Sequence, residues 1–157
     1  QLYDEEFMRL DADSFRPARQ IPNVQARMAR EEDLAALSAF YSSAGSMART
    51  AAATARALRN GGIALLEQED AILAAVLVHA RTRQHAMIGG VYTLPEARGR
   101  GFSTAVCSIL SADILASGRT PLLYWQHADA GAVYRKLGFT PIGRWRSLWL
   151  ERTQFED

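Results

Sequence analysis

The chain has 157 residues, 48% of them hydrophobic and 22% charged, and a formal net charge of +1 from eighteen basic and seventeen acidic side chains. That length predicts one domain whose core needs no covalent staples, and with Cys107 as the only cysteine an internal disulfide is excluded. The charge balance argues against a broad nucleic-acid-binding face, and the longest apolar run, residues 71–80, falls far short of the ~18 residues that span a bilayer. With no secretory signal pattern visible, a cytoplasmic setting is expected. The start at Gln1 rather than methionine fits a chain that is processed, tagged or cut from a longer one.

Residues 1–20 are rich in charge and precede Pro22, which reads as a short helix or arm. The rest, 21–157, reads as a single domain. Asn23–Met28 reads as a first strand. Glu31, Glu32 and Asp33 then open a helix whose apolar stripe is Leu34, Leu37, Phe40 and Tyr41, with acids where the helix dipole favours them. Ser42–Gly45 breaks that helix. An alanine-rich second helix, Met47–Leu58, stops at Asn60-Gly61-Gly62. Ile63–Gln68 and the run from Ile72 to Val78 read as two strands joined at Glu69-Asp70. The second is apolar on both faces, so it belongs in the middle of a sheet.

Met87–Thr93 is the next strand, and Gly89-Gly90 within it predicts a bulge or a close backbone approach. The segment Arg98-Gly99-Arg100-Gly101-Phe102-Ser103 follows, opening a helix that buries Phe102, Ala105, Val106, Ile109, Leu110 and Ile114. Small residues at such a corner let backbone N–H groups converge on an anion, the helix aims its positive end there, and arginines add full charges. A local phosphate site is the natural reading. Gly118 ends the helix, and Leu122–Gln126 is a strand behind Pro121. Asp129 caps a helix with Ala130, Val133, Tyr134 and Leu137 inward, and Ile142–Leu150 supplies one or two last strands. Consecutive strands and a hairpin argue against a purely parallel, doubly wound sheet.

From Val24 to Arg152, and most closely from Val91 to Phe139, this arrangement resembles the GNAT superfamily of acyl-CoA-dependent N-acetyltransferases. The family's pyrophosphate motif, Gln/Arg-x-x-Gly-x-Gly/Ala, falls on Arg98, Gly101 and Ser103, after the strand end Val91-Tyr92-Thr93-Leu94-Pro95. Its pattern Asn-x-x-Ala-x-x-x-Tyr-x-x-x-Gly-Phe falls on His127, Ala130, Tyr134, Gly138 and Phe139. Ser103 and His127 depart from the usual residue types.

The resemblance implies an α/β fold of the α+β type: a mixed, largely antiparallel sheet splayed between two middle strands and flanked by helices. It implies acetyl-CoA as acyl donor and no metal. The donor would lie on Val91, Tyr92, Thr93, Arg98, Gly99, Arg100, Gly101, Phe102, Ser103, His127 and Tyr134. Tyr134 would be the general acid for the leaving thiolate, and an amide N–H near Val91 or Tyr92 would polarise the thioester carbonyl. An amine of pKa 10.4 is neutral at pH 7 only on the order of one part in a thousand, a cost of about 4 kcal/mol that invites a base. Many relatives place a glutamate on the bulged strand, where this chain has glycines. His79, Glu67, His127 or a water relay are the alternatives.

The expected reaction is direct attack by an acceptor amine in a ternary complex. The acceptor is a small molecule, an amino acid or a peptide, with neither nucleic acid nor membrane as partner. Oligomeric state stays open, a homodimer included. Trp125, Trp145 and Trp149 suit either an acceptor pocket or packing, and Arg144 and Arg146 either an acidic acceptor or a solvated strand face. Two rivals stand beside the transferase. One is a catalytically silent acyl-CoA-binding or interaction domain. The other is an RNA-binding module built on the Arg-Gly turn, against which the near-zero charge and the lack of interleaved aromatics count.

Overall fold

The computed structural model describes residues 2–125 and 128–148, and no side chain is described at 128 and 129. Ala74–Val78 are buried on both faces, which places their strand at mid-sheet. The strands are β1 (Leu2–Arg9), β2 (Gln25–Met28), β3 (Ile63–Gln68), β4 (Ala71–Arg81), β5 (His85–Thr93), β6 (Thr120–Trp125) and β7 (Thr140–Leu148). They form one sheet in the order β2-β3-β4-β5-β6-β1-β7. Every neighbouring pair is antiparallel except β5 and β6.

Helices α1 (Leu34–Ser42) and α2 (Ala51–Asn60) cover one face, and α3 (Phe102–Ala116) and α4 (Ala128–Leu137) the other. On the α1 side, Leu37, Phe40 and Tyr41 meet Ile63, Leu65, Ala75 and Leu77. On the α3 side, Val106, Leu110 and Ile114 meet Leu66, Val76 and Ile88, with Met8 and Leu123. The expected mixed, mostly antiparallel sheet with flanking helices is the architecture observed.

The N-terminal segment differs from its expectation. Leu2–Arg9 is neither arm nor helix but a strand inserted between β6 and β7. Its alternation was masked by charge: Phe7 faces Trp145 with ring centroids 5.5 Å apart, while Met8 is fully buried on the opposite face. The acids that suggested solvent have partners. Glu6 takes a hydrogen bond from Arg135 at 2.6 Å, Asp4 from Arg146 at 2.8 Å, and Glu5 from the Ser147 hydroxyl at 2.5 Å. From β1 the chain crosses α4 and α3, Arg16 N–H donating to the Leu137 carbonyl and Ala18 N–H to the Ser108 hydroxyl, both at 2.9 Å.

An ion-paired cluster ties the β2–β3 edge to the start of α1. Arg27 donates to Asp33 at 2.7 and 2.9 Å and to Glu67 at 3.0 and 3.2 Å, while Arg30 N–H donates to Asp33 at 2.7 Å. The Arg27 guanidinium holds the Asp33 carboxyl below its ordinary value of 3.8. A lowered carboxylate pKa contributes stability that is complete above the unfolded value and is lost as pH falls through the folded one. Asp33→Asn is therefore expected to cost about 1–2 kcal/mol at pH 7 in urea unfolding, with the difference closing at pH values below the ordinary carboxylate range. A variant as stable as the parent at pH 7 would remove the cluster from the account of the fold.

Candidate active site

β5 and β6 run side by side only briefly. His85, Ala86 and Met87 pair with Thr120, Pro121 and Leu122, and no register follows. β5 continues to Thr93 and β6 to Trp125, so the strands part and leave the edge of β5 from Ile88 onward free of ladder bonds to β6. The bend has a local cause. Between Leu77↔Gly89 and Ala75↔Tyr92, three steps on β5 oppose two on β4, which is a β-bulge with Gly90 at φ +60°. The glycine pair read from the sequence thus sits at the bulge. Two carbonyls of the freed stretch are taken by side chains: Gly90 accepts from the Tyr41 hydroxyl at 2.9 Å, and Thr93 from Arg98 Nε at 3.1 Å.

Beyond the parted strand lies the glycine-arginine corner. Gly99 and Gly101 adopt φ +77° and +81°, a left-handed conformation that side chains with a Cβ rarely enter. Gly101 is the N-cap of α3 and has no side-chain cap, so the first-turn N–H groups carry no side-chain acceptor. A Cβ at Gly99 would meet nothing within 4 Å, so the outer side of the turn is open. The corner is pinned to β5 twice, through Arg98 and through a 2.9 Å contact between the Thr93 and Ser103 hydroxyls. Arg98 lies 5.8 Å from the Tyr92 ring centroid, and Arg100 covers the Phe102 ring at 4.5 Å. Phe102 is 1% exposed, so its side chain belongs to the core and only its backbone serves the corner. Uncapped N–H groups, a fifteen-residue helix behind them and two arginines suit a diphosphate.

The remaining residues fall around the gap. Val91 packs into the α3-side layer, whereas Tyr92 points the other way and meets Phe40 edge-on at 5.5 Å. Tyr134, from α4, is 7% exposed and T-stacked on Phe139 at 6.0 Å. Burial pushes its phenol well above 10, so it is a neutral donor at physiological pH. Cys107 is fully buried, its thiol pushed up to about 12.

Of the three residues weighed as a base, Glu67 stands on β3, separated from β5 by β4, and is held by Arg27 of β2. His79 is exposed on β4, its Cβ close to where one on Gly89 would stand. His127 lies outside the described residues, as does Trp149. Trp125 is structural, its indole N–H donating to Met8 Sδ at 3.1 Å under the Arg135 guanidinium. Trp145 is 38% exposed and stacks on Tyr124 at 5.1 Å and 7°. Arg144 is exposed, and Arg146 pairs with Asp4. One residue escaped the sequence reading: Arg49, in the link between α1 and α2, lies against the bulge. Among the described residues no cluster of three or more His, Cys, Asp or Glu is placed to hold a metal, and no helix is long and apolar enough to cross a membrane.

No curated protein matches the chain. Solved structures share the fold. A GNAT-family protein from Novosphingobium aromaticivorans superposes with a TM-score of 0.74 at 24% identity, over 93% of this chain and 63% of that one. A GCN5-related N-acetyltransferase from Sphaerobacter thermophilus gives 0.75 at 18%, over 93% and 51%, and one from Kribbella flavida 0.71 at 20%, over 88% and 54%. The chain thus spans between about half and 63% of the length of these structures. A family model, FR47-like protein, matches residues 61–150, from the start of β3 through the parted strands and the corner to the last strand. Since that match takes in more than half of the sequence, the chain belongs to the FR47-like family and carries the fold of the GNAT acetyltransferases.

Proposed function

We propose that the protein is an acyl-CoA-dependent N-acyltransferase, moving an acetyl group from acetyl-CoA to an amine by direct attack in a ternary complex. The observation that carries this reading is the parting of β5 from β6 immediately before the uncapped N-terminus of α3. A thioester with a diphosphate tail needs both: a slot with free backbone groups and an anion seat at one end. When bound, the donor supplies an activated acetyl group and a thiolate leaving group.

The N–H groups of Phe102 and Ser103, with Gly99, Gly101, Arg98 and Arg100 around them, hold the diphosphate. The freed edge at Val91, Tyr92 and Thr93 offers its remaining N–H and C=O groups to the amides of the pantetheine arm, the way an added strand pairs with a sheet edge. An N–H of this stretch polarises the thioester carbonyl. Tyr134 gives a proton to the departing sulfur, and the spacing of its motif assigns His127 to the donor. Deep burial of Cys107 favours direct transfer over an acyl-cysteine relay, since a thiol at about 12 is neither ionised nor reachable. A cytoplasmic setting fits a donor that coexists with reduced thiols.

Titration with CoA and with acetyl-CoA during thermal unfolding tests the reading. At ~100 times the dissociation constant the ligand adds about 2.7 kcal/mol, a rise in Tm of roughly 5–10 °C for a chain of this size. Thiol release on adding an amine panel then separates a transferase from a silent binder. No shift with either ligand would reject the assignment.

A further inference from the structure

Arg49 is anchored where α1 ends, its N–H donating to the Tyr41 carbonyl at 3.1 Å. Its guanidinium crosses to the bulge of β5. A Cβ on Gly90 would lie 3.0 Å from Nη2 and 3.1 Å from Nε, so the guanidinium packs closely on the bare Cα. Nε is buried with no hydrogen-bond partner. Among the described residues the ion pairs fall on Arg9, Arg27, Arg30, Arg135 and Arg146, and none reaches Arg49. Arg49 is half-buried and keeps its charge, so the guanidinium presents that charge, without a protein counterion among the described residues, to any anion that enters.

The surroundings point to what the anion belongs to. Tyr41, Arg49, Tyr92 and Tyr124 stand on the face covered by α1 and α2, opposite α3 and its phosphate corner. Arg49 therefore approaches the parted strands from the side away from the donor's charged end. Glu5 lies opposite Trp145 in the β1–β7 ladder. Trp145, stacked on Tyr124, extends that surface. A guanidinium beside the acyl slot suits an acceptor that carries a carboxylate better than a polyamine.

We infer that Arg49 binds the carboxylate of the acceptor, and that the acceptor is an amino acid, its nitrogen a few bonds from that carboxylate. The inference rests on the transferase reading above. The short span follows from contact: the guanidinium touches Gly90, next to the Val91 and Tyr92 groups assigned to the thioester end.

The test compares glycine, alanine, phenylalanine and glutamate with glycinamide, alaninamide and phenylalaninamide, by thiol release from acetyl-CoA, in the parent and in Arg49→Gln. The carboxamides carry the less basic amine, so preference for the acids cannot come from easier deprotonation. The parent is expected to favour acids over amides by about tenfold to a hundredfold in kcat/KM, the range for hydrogen bonds to charged groups. Arg49→Gln is expected to erase that preference through KM, leaving amide turnover and the CoA dissociation constant within about twofold. Arg49→Lys keeps the charge and is expected to restore part of it. Equal use of acids and amides by the parent overturns the inference and leaves the transferase standing. CoA binding with neither turnover nor binding of any acid in the panel also overturns it, and so does an Arg49→Gln variant that loses kcat on acids and amides alike. Failure to bind CoA at all sinks both readings, and is told apart by the thermal shift alone.

Discussion

Replacing Tyr134 by phenylalanine is expected to lower kcat by about two to three orders of magnitude, with the CoA dissociation constant within about twofold, because only a proton donor is lost. The ring is held by Phe139 and the α3-side layer, and phenylalanine fills that space. Urea unfolding should therefore differ by less than about 1 kcal/mol, which separates a chemical defect from a folding one. Free thiols ionise near 8.5 and phenols near 10, which would make transfer from Tyr134 to sulfur uphill. Burial does not widen that gap. It pushes the Tyr134 phenol up, and a thiolate formed in the same dry slot is disfavoured for the same reason, so donor and acceptor move together. A general acid must be protonated to act, and a phenol raised above 10 stays protonated through the working range. Parent kcat should accordingly show no alkaline fall from this group below about pH 10. Turnover unchanged in Tyr134→Phe would remove the residue from the chemistry.

What could be read in the sequence was what neighbours in sequence decide. The apolar run through Val76, the stripe of α3 and the left-handed glycines at its start are local signals, and each marked its element. The bulge was legible because two glycines interrupt an otherwise apolar strand. β1 was not, since its acids find their partners in Arg135, Arg146 and Ser147, more than a hundred residues away. Arg49 was illegible for a related reason. It sits in a short link between helices, and only the approach of Gly90, forty-one positions on, gives its charge a setting. Glu67 shows the converse: a carboxylate plausible as a base in sequence is committed in space to Arg27. Long-range ion pairs and close approaches are what periodicity and spacing cannot carry.

Gly101→Asp is expected to raise the dissociation constant for CoA by at least about a hundredfold while leaving the protein folded. The substitution sets a carboxylate at the N-cap of α3, where the diphosphate is assigned. Two unit charges 4 Å apart repel by about 4 kcal/mol at the effective dielectric of a protein surface, so a hundredfold, equal to about 2.7 kcal/mol, is a conservative expectation. Aspartate suits this test better than valine for two reasons. It tolerates the left-handed region, at φ +81° here, far better than a β-branched residue does. Its carboxylate also meets the positive end of a helix dipole, which offsets part of the backbone cost. The nearest atom to a Cβ at this position is Ile21 Cδ1 at 3.8 Å, ordinary contact, so no neighbour has to move. Net stability in urea should thus change by less than about 1–2 kcal/mol, and the loss should fall on the ligand. Pantetheine, which lacks the diphosphate, provides the control: whatever affinity it has should be unaffected. If Gly101→Asp binds CoA as the parent does, the diphosphate is seated elsewhere, and the corner is only a turn that starts a helix.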